Sequence, residues 1–433
     1  MKVHKISKKL IKPDTPTAQN LKNYKISMLD QFMESMNMGV ILFYESKPEK
    51  NTQLEESLAT ILVEFYLLAG RYMKNDHFVD CNDDGAEFVE AEAQGVAAIM
   101  DVAATTNSDQ LNLNDLLPDQ YFRADEAPND PLLSIQATHF PCGGIAIAIS
   151  ISHRVFDMPS FAAFTAAWSK ACSNPDHYYK AIESTSRPSF SIPSLLPYMD
   201  LGLATRSNKC ITEADEISVK RLVFDKDAIT RLRSKIAHNV NDTVISGVSA
   251  VCAVIVKALM EADRAKHGGR SRGLFIIQPI DMRERTIPPQ PKHVCGNLTI
   301  PSLTRRVDSG NVVGMGELVD VMDESVGRSI GEYSEILVSP SIIMNALRNI
   351  RKQVFDPETN VIAFTDWSEF GFYDADFGWG KPVWASIGPQ PPAITATVIM
   401  SDGEGNGIEA WLHLKQSDVA YFDQVEEIKL FTT

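Results

Sequence analysis

The chain has 433 residues, 44% of them hydrophobic, and sets 41 Lys and Arg against 56 Asp and Glu for a net charge of −15. At about 150 residues per domain this length predicts two or three domains around a sizeable core. So acidic a balance repels phosphate backbones and anionic lipid, so neither nucleic acid nor a membrane is an expected partner. Six cysteines (Cys81, Cys142, Cys172, Cys210, Cys252 and Cys295) are scattered without a Cys-x-x-Cys pair, which argues against a zinc site and against a disulfide-stapled secreted scaffold. The basic residues 1–14 have no apolar stretch behind them and read as a first strand rather than a secretory signal. The longest apolar run, 244–256, is broken by Ser246 and Ser249 and is too short to span a bilayer. Two sequons, at Asn241 and Asn297, mean little without an export signal. The expected setting is cytoplasmic.

In chain order, 39–44 (GVILFY) predicts a buried strand. Leu54, Leu58, Ile61, Leu62 and Phe65 then recur at helical spacing, with a stop at Ala69-Gly70-Arg71. Asn82-Asp83-Asp84-Gly85, between Phe78-Val79 and Phe88-Val89, has the turn chemistry of a hairpin. Residues 144–151 (GIAIAISI) predict a strand and 160–172 a helix beyond it. From 173 to 215, Pro175, Pro188, Pro193 and Pro197 sit among serines without sustained periodicity, the composition of a long crossover. Past it, 220–224 reads as a strand, 226–237 as an amphipathic helix and 244–260 as a largely buried helix. Strands are expected at 275–280, 361–365, 394–400 and 408–414. Gly403-Glu404-Gly405-Asn406-Gly407 predicts a hairpin turn, since no helix follows it and its glutamate would repel a phosphate. Both halves mix strands and helices, so the expected fold is α/β, with one domain over 1–185, a crossover over 186–215 and a second domain over 216–433.

The common catalytic signatures are absent: there is no G-x-S-x-G elbow, Walker A loop, H-E-x-x-H or strand-linked G-x-G-x-x-G. Two H-x-x-x-D runs occur. In the second, His238 to Asp242, the histidine falls in a polar gap between helices and reads as a solvated loop residue. In the first, His153-Arg154-Val155-Phe156-Asp157, the histidine follows a buried strand and leads into a helix through Met158-Pro159-Ser160. Strand ends are where α/β scaffolds hold reactive groups. From spacing alone, however, a core histidine satisfied by a neighbouring carboxylate is the plainer reading. A second unusual segment, 370–384 (FGFYDADFGWGKPVW), is too polar and glycine-dense for a core strand. It reads either as a packed aromatic loop or as a rigid wall beside a site, with Gly378 and Gly380 permitting backbone that other residues avoid.

Together these segments resemble the BAHD acyltransferase family, through its H-x-x-x-D signature at His153 and Asp157 and its D-F-G-W-G signature at Asp376-Phe377-Gly378-Trp379-Gly380. The resemblance runs the full length: 23–31 (NYKISMLDQ), 65–71 (FYLLAGR), 79–91 (VDCNDDGAEFVEA) and 407–412 (GIEAWL) also match, in order. It displaces the core-histidine reading of His153. Within the family, HFPCGGIAIAISISH and GFYDADFGWGKP are most similar to enzymes that acetylate alkaloid hydroxyls. The resemblance implies two chloramphenicol-acetyltransferase-like domains with a channel between them, CoA entering from one face and the acceptor from the other.

It further implies an O-acyltransferase of monomeric form, without metal or bound cofactor, using acetyl-CoA as co-substrate and a small-molecule alcohol, an alkaloid or terpenoid, as acceptor. A malonyl, benzoyl or cinnamoyl donor or an amine acceptor is the alternative, and a non-catalytic acyl-CoA or partner binder a further one. The implied catalytic set is His153, Asp157 and Asp376. In it His153 is the general base, Asp157 pairs with Arg283 to orient the turn, and Asp376 holds the loop that includes Gly378 and Gly380. Trp379 is expected on the CoA side. Three departures bear on the substrates: Met158 replaces a usual Gly, Glu369 stands where relatives using shikimate carry a carboxylate-clamping arginine, and His293-Val294-Cys295-Gly296-Asn297 stands in place of the Y-F-G-N-C-type segment of anthocyanin malonyltransferases.

Overall fold

The apolar runs of the two halves form the inner strands of separate sheets in a computed structural model of the chain. The structure describes residues 1–33, 36–46, 51–95, 113–118, 127–174, 187–199, 217–237, 245–308, 313–388, 395–403, 405 and 407–432. The first half contains β1 (Lys2–Ile11), β2 (Asn23–Lys25), β3 (Asn37–Tyr44), α1 (Thr52–Ile61), β4 (Arg71–Met73), β5 (Phe78–Asp80), β6 (Ala86–Gln94), β7 (Leu133–His139), β8 (Ile145–Ser152) and α2 (Met158–Ser173). The one-turn helix α3 (Ile192–Leu195) follows, then β9 (Ile217–Phe224), α4 (Lys226–Ala237), α5 (Gly247–Lys266), β10 (Gly273–Asp281), β11 (Thr299–Leu303) and β12 (Val307–Asp308). The chain ends with α6 (Met315–Tyr333), α7 (Ser341–Val354), β13 (Thr359–Asp366), β14 (Trp384–Ile387), β15 (Thr395–Ser401), β16 (Ile408–Lys415), α8 (Gln416–Phe422) and α9 (Glu426–Lys429).

One sheet runs β1-β6-β7-β8-β3-β14, a second runs β11-β10-β13-β15-β16-β9 with β12 on β10, and a small one is β2-β5-β4. Every residue of β3 and β8 is buried, which is why both read as unbroken apolar runs rather than as alternating strands. Both large sheets are mixed, since β6–β7, β10–β13 and β13–β15 are parallel and the other pairings antiparallel. The β15–β16 turn is the expected hairpin, Ser401 facing Ile408 and Asp402 Oδ1 accepting from Gly405 N at 2.9 Å. Among the described residues no helix is long and apolar enough to cross a membrane.

Two expectations need correction. The segment Asn82-Asp83-Asp84-Gly85 is not a hairpin: β5 pairs with β2 and β4, whereas β6 pairs with β1 and β7. Asp83 instead accepts from Thr17 N at 3.0 Å and from Lys22 Nζ at 2.5 Å, so the acidic turn steers the chain from one sheet to the next. Gly85 completes the crossing at φ +100°, where a Cβ would lie 2.6 Å from the Ile11 carbonyl oxygen. The helix expected to run to Ala69-Gly70-Arg71 stops at Ile61, and a separate 3-10 turn covers Tyr66–Ala69.

The halves are interleaved. After β13 in the second sheet the chain crosses to lay β14 along β3, Trp384 facing Phe43 and Ile387 facing Val40, and then returns as β15. The crossover is packed where it is described: Ile192 and Leu196 are buried with Met28, Leu29, Ile280 and Val294 in a small third core. The second H-x-x-x-D run, the Asn241 sequon and Cys210 lie outside the described residues.

Helix α2 joins the layers. Trp168 is fully buried; its Nε1 donates to Ser57 Oγ of α1 at 3.1 Å, and its ring meets Phe377 edge-on at 4.8 Å. Truncating so large a buried side chain removes apolar contact and leaves a cavity. Trp168→Ala is therefore expected to cost about 3–5 kcal/mol, read as a lower urea midpoint and lower Tm.

Candidate active site

The His153 turn is built by a strand end and a helix start. β8 ends at Ser152 and α2 begins at Met158, with Asp157 as N-cap accepting from Ser160 N. An acid at this position satisfies an orphan helix N–H and complements the helix dipole. His153 N donates to the Met36 carbonyl at 2.9 Å, and His153 Nδ1 lies 2.9 Å from the Phe156 carbonyl oxygen. A carbonyl only accepts, so Nδ1 carries the proton and Nε2 keeps its lone pair. Burial, opposed by the charge of Asp157, leaves the His153 pKa below its ordinary value. The ring is therefore neutral at neutral pH.

Asp157 is enclosed by donors. Its Oδ1 accepts from Ser160 N, Ser160 Oγ and Arg283 Nη2 at 3.1, 2.7 and 2.9 Å. Its Oδ2 accepts from Arg283 Nη1, Leu298 N and Thr299 Oγ1, each at 3.0 Å. Burial raises the carboxyl pKa, but the Arg283 charge and these bonds outweigh it and hold the group below the usual carboxylate range. Arg283 is 1% exposed. Its remaining N–H groups reach Val294 O at 2.7 Å, Asp281 Oδ1 at 2.8 Å and Gly296 O at 3.1 Å. A carboxylate so fully engaged can orient the turn and has no capacity left for proton transfer.

The second signature sits at the other end of α2. Sixteen residues at about 1.5 Å each make a rise of roughly 24 Å, and a Cβ at Gly378 would lie 3.3 Å from Ser173 Cα. Asp376 Oδ1 accepts from Gly378 N at 2.7 Å and Gly380 N at 3.0 Å, and both glycines have φ +109°. The carboxylate thus folds its own loop and does not reach His153. Trp379 stacks on Phe377 at 5.7 Å and meets Tyr44 edge-on at 6.1 Å. Tyr44 in turn donates to the Ala375 carbonyl at 2.7 Å. Of the expected site residues, His153, Asp157, Arg283 and Met158 come together, whereas Asp376, Gly378, Trp379 and Gly380 form a separate wall. Met158 is buried at the first position of α2, and Glu369 is exposed just after β13.

Residues 296–299 were not singled out for the site in the sequence, yet Gly296, Asn297, Leu298 and Thr299 all bind the His153 turn or its helix. Asn297, which starts the second sequon and ends the 293–297 segment, is fully buried. A cavity of about 390 Å³ opens elsewhere, lined by Asp263, Lys266, Arg272 and Asp418 among others. Its charges pair with one another, Arg272 Nε with Asp263 at 3.1 Å and Lys266 with Asp418, and it is remote from the two signatures.

A transferase family model matches residues 1–429. The chain is 49% identical, over the whole of both sequences, to the pelargonidin 3-O-(6-caffeoylglucoside) 5-O-(6-O-malonylglucoside) 4'''-malonyltransferase of Salvia splendens. It is 32% identical to vinorine synthase of Rauvolfia serpentina, covering 96% of this chain and 95% of that one. The solved vinorine synthase structure superposes with a TM-score of 0.81, covering 100% of this chain and 98% of that one. A limonoid 21-O-acetyltransferase of Melia azedarach is 30% identical over 99% of this chain and 97% of its own. The chain belongs to this transferase family, the BAHD acyltransferases, and is an acyl-CoA-dependent acyltransferase.

Proposed function

We propose that His153 is the general base of acyl transfer from a CoA thioester to an alcohol hydroxyl, and that malonyl is the acyl group. The observation that carries the catalytic part is the Nδ1 contact to the Phe156 carbonyl, which commits Nε2 to accept a proton. The hydroxyl oxygen attacks the thioester carbonyl as Nε2 takes its proton, giving a tetrahedral oxyanion. Collapse breaks the C–S bond and expels CoA thiolate, an easy leaving group since a thiol's pKa of about 8.5 lies far below an alcohol's. His153 then returns the proton to sulfur. Asp157 and Arg283 hold the turn, and Asp376 holds its own distant loop.

The malonyl reading is supported by the 49% full-length identity to an enzyme named for malonyl transfer, against 30% for the limonoid acetyltransferase. Acetyl-CoA with an alkaloid or terpenoid acceptor is the second reading, and one observation favours it. A malonyl carboxylate calls for a cation, yet Arg283 is engaged throughout and Arg154 Nη1 donates to the Asp30 carbonyl at 2.8 Å. For the acceptor, exposed Glu369 disfavours an anion and supports a neutral or cationic hydroxyl compound.

His153→Ala is expected to abolish turnover while the protein stays folded and binds CoA; near-normal turnover would remove the base assignment. Because the His153 pKa is lowered, the base form persists on acidification, so the acid limb of kcat/KM should fall below the ordinary histidine value of about 6.5. Arg283→Ala leaves Asp157 buried and unpaired, so activity should disappear together with about 3–5 kcal/mol of stability, seen by activity assay and urea melt. The donor is decided by incubating the protein with malonyl-CoA or acetyl-CoA and a panel of flavonoid glycosides and alkaloid and terpenoid alcohols. Acceptor-dependent CoA release with a product heavier by one malonyl group is expected. Turnover with acetyl-CoA alone would establish the second reading.

A further inference from the structure

A buried carboxylate stands behind the His153 turn. Asp30 is 1% exposed, yet its Oδ2 accepts from Ser27 N at 2.6 Å and its Oδ1 from Asn297 Nδ2 at 2.8 Å. Its own N–H donates to Ser27 Oγ at 3.1 Å. The same Asn297 Nδ2 donates to the His153 carbonyl at 3.0 Å and lies 3.3 Å from that of Arg154. Among the described residues, Asn297 Oδ1 is buried without a hydrogen-bond partner. A carboxamide can present either end, and here its NH2 meets three acceptors of which only Asp30 is a carboxylate. Turning the amide over would set its oxygen against all three.

Keeping this carboxylate opposes stability. Burial, countered by the Ser27 and Asn297 bonds and least by the Arg154 charge, raises the Asp30 pKa to about 6. A carboxyl whose pKa is higher folded than unfolded disfavours the folded state once pH passes the unfolded value, and at neutral pH the whole of that cost is present. An uncharged side chain of the same shape would avoid it. We infer that Asp30 is a positioning residue: by orienting the Asn297 amide it fixes the His153 carbonyl and, through that peptide, the direction of the His153 ring. The inference rests on His153 being the base. With the amide released, the His153 carbonyl loses its side-chain donor; the turn keeps the His153 N–Met36 carbonyl bond and its Asp157 contacts, but the His153 peptide is free to tilt and Nε2 drifts from the line of attack.

Misplacing a reacting group by about 1 Å costs up to 100-fold in rate. Asp30→Asn keeps the shape but can serve only one of Ser27 N and Asn297 Nδ2. It is expected to fold and to lose roughly 10- to 100-fold in kcat, with KM for the acyl-CoA little changed. Asn297→Ala should lose a comparable factor, and the double variant should lose no more than Asn297→Ala alone, because the two act as one unit. An unchanged kcat in Asp30→Asn, or losses that multiply in the double variant, would overturn the inference while leaving His153 as base. If Asp30→Asn does not fold, Asp30→Ser, which is too short to reach Asn297, should fold and show the same kcat loss. Failure of both to fold makes Asp30 a folding residue and overturns the inference. His153→Ala, assayed in parallel, separates the two ideas: retained turnover there removes the base itself and the inference with it.

Discussion

The bidentate pair between Asp157 and Arg283 is the contact on which the rest of the site depends. It joins the turn that follows β8 to the turn that follows β10, and those two strands belong to different sheets. A buried ion pair is seldom a net source of stability, because desolvation takes back most of the Coulomb gain. Here both ions have their hydrogen-bonding capacity filled by Ser160, Gly296, Leu298 and Thr299, the condition under which such a pair is tolerated. What the pair contributes is geometry. With the helix cap fixed to the opposite sheet, the strand end carrying His153 has few directions left.

Helix α2 carries that order over a distance. Its N-terminus holds the His153 turn and its C-terminal residues support the D-F-G-W-G loop, with Trp168 wedged against Phe377 between them. The two segments that identify the family in sequence therefore never meet. They are coupled through one rigid rod, and the loop's own order comes from Asp376 bonding two glycine amides that only glycine backbone can present.

Much of this was legible in the sequence, for physical reasons that differ by element. The runs that became β3 and β8 are buried on both faces, so their apolar continuity survived as a signal. The Asp cap, Pro and Ser after His153 spelled a strand-to-helix turn. By contrast β7 contains Gln136 and Thr138, both buried and bonded to each other, so its composition did not read as a core strand. Helix α6 carries Gly327 and Gly331 in its interior, which weakens helical propensity below what a local reading detects. The acidic turn at Asp83 looks like a hairpin locally because the partners that define it, Thr17 and Lys22, lie some 60 residues away. Asp30 and Asn297 escaped notice as a pair because they are 267 residues apart and neither has meaning alone. The one available hint was an acid directly after the mostly apolar stretch Ile26-Ser27-Met28-Leu29.

The excursion that lays β14 beside β3 also bears on how such enzymes diversify. Exchange of halves between relatives at the 186–215 crossover would look modular on paper. Yet the incoming C-terminal half would have to supply the edge strand of the resident N-terminal sheet, with Trp384 stacking on Phe43 at 4.8 Å. Chimeras joined there inherit a sheet whose sixth strand evolved against another neighbour. Recombination is thereby constrained, and substitution along the walls of the site is left as the easier route to new substrates.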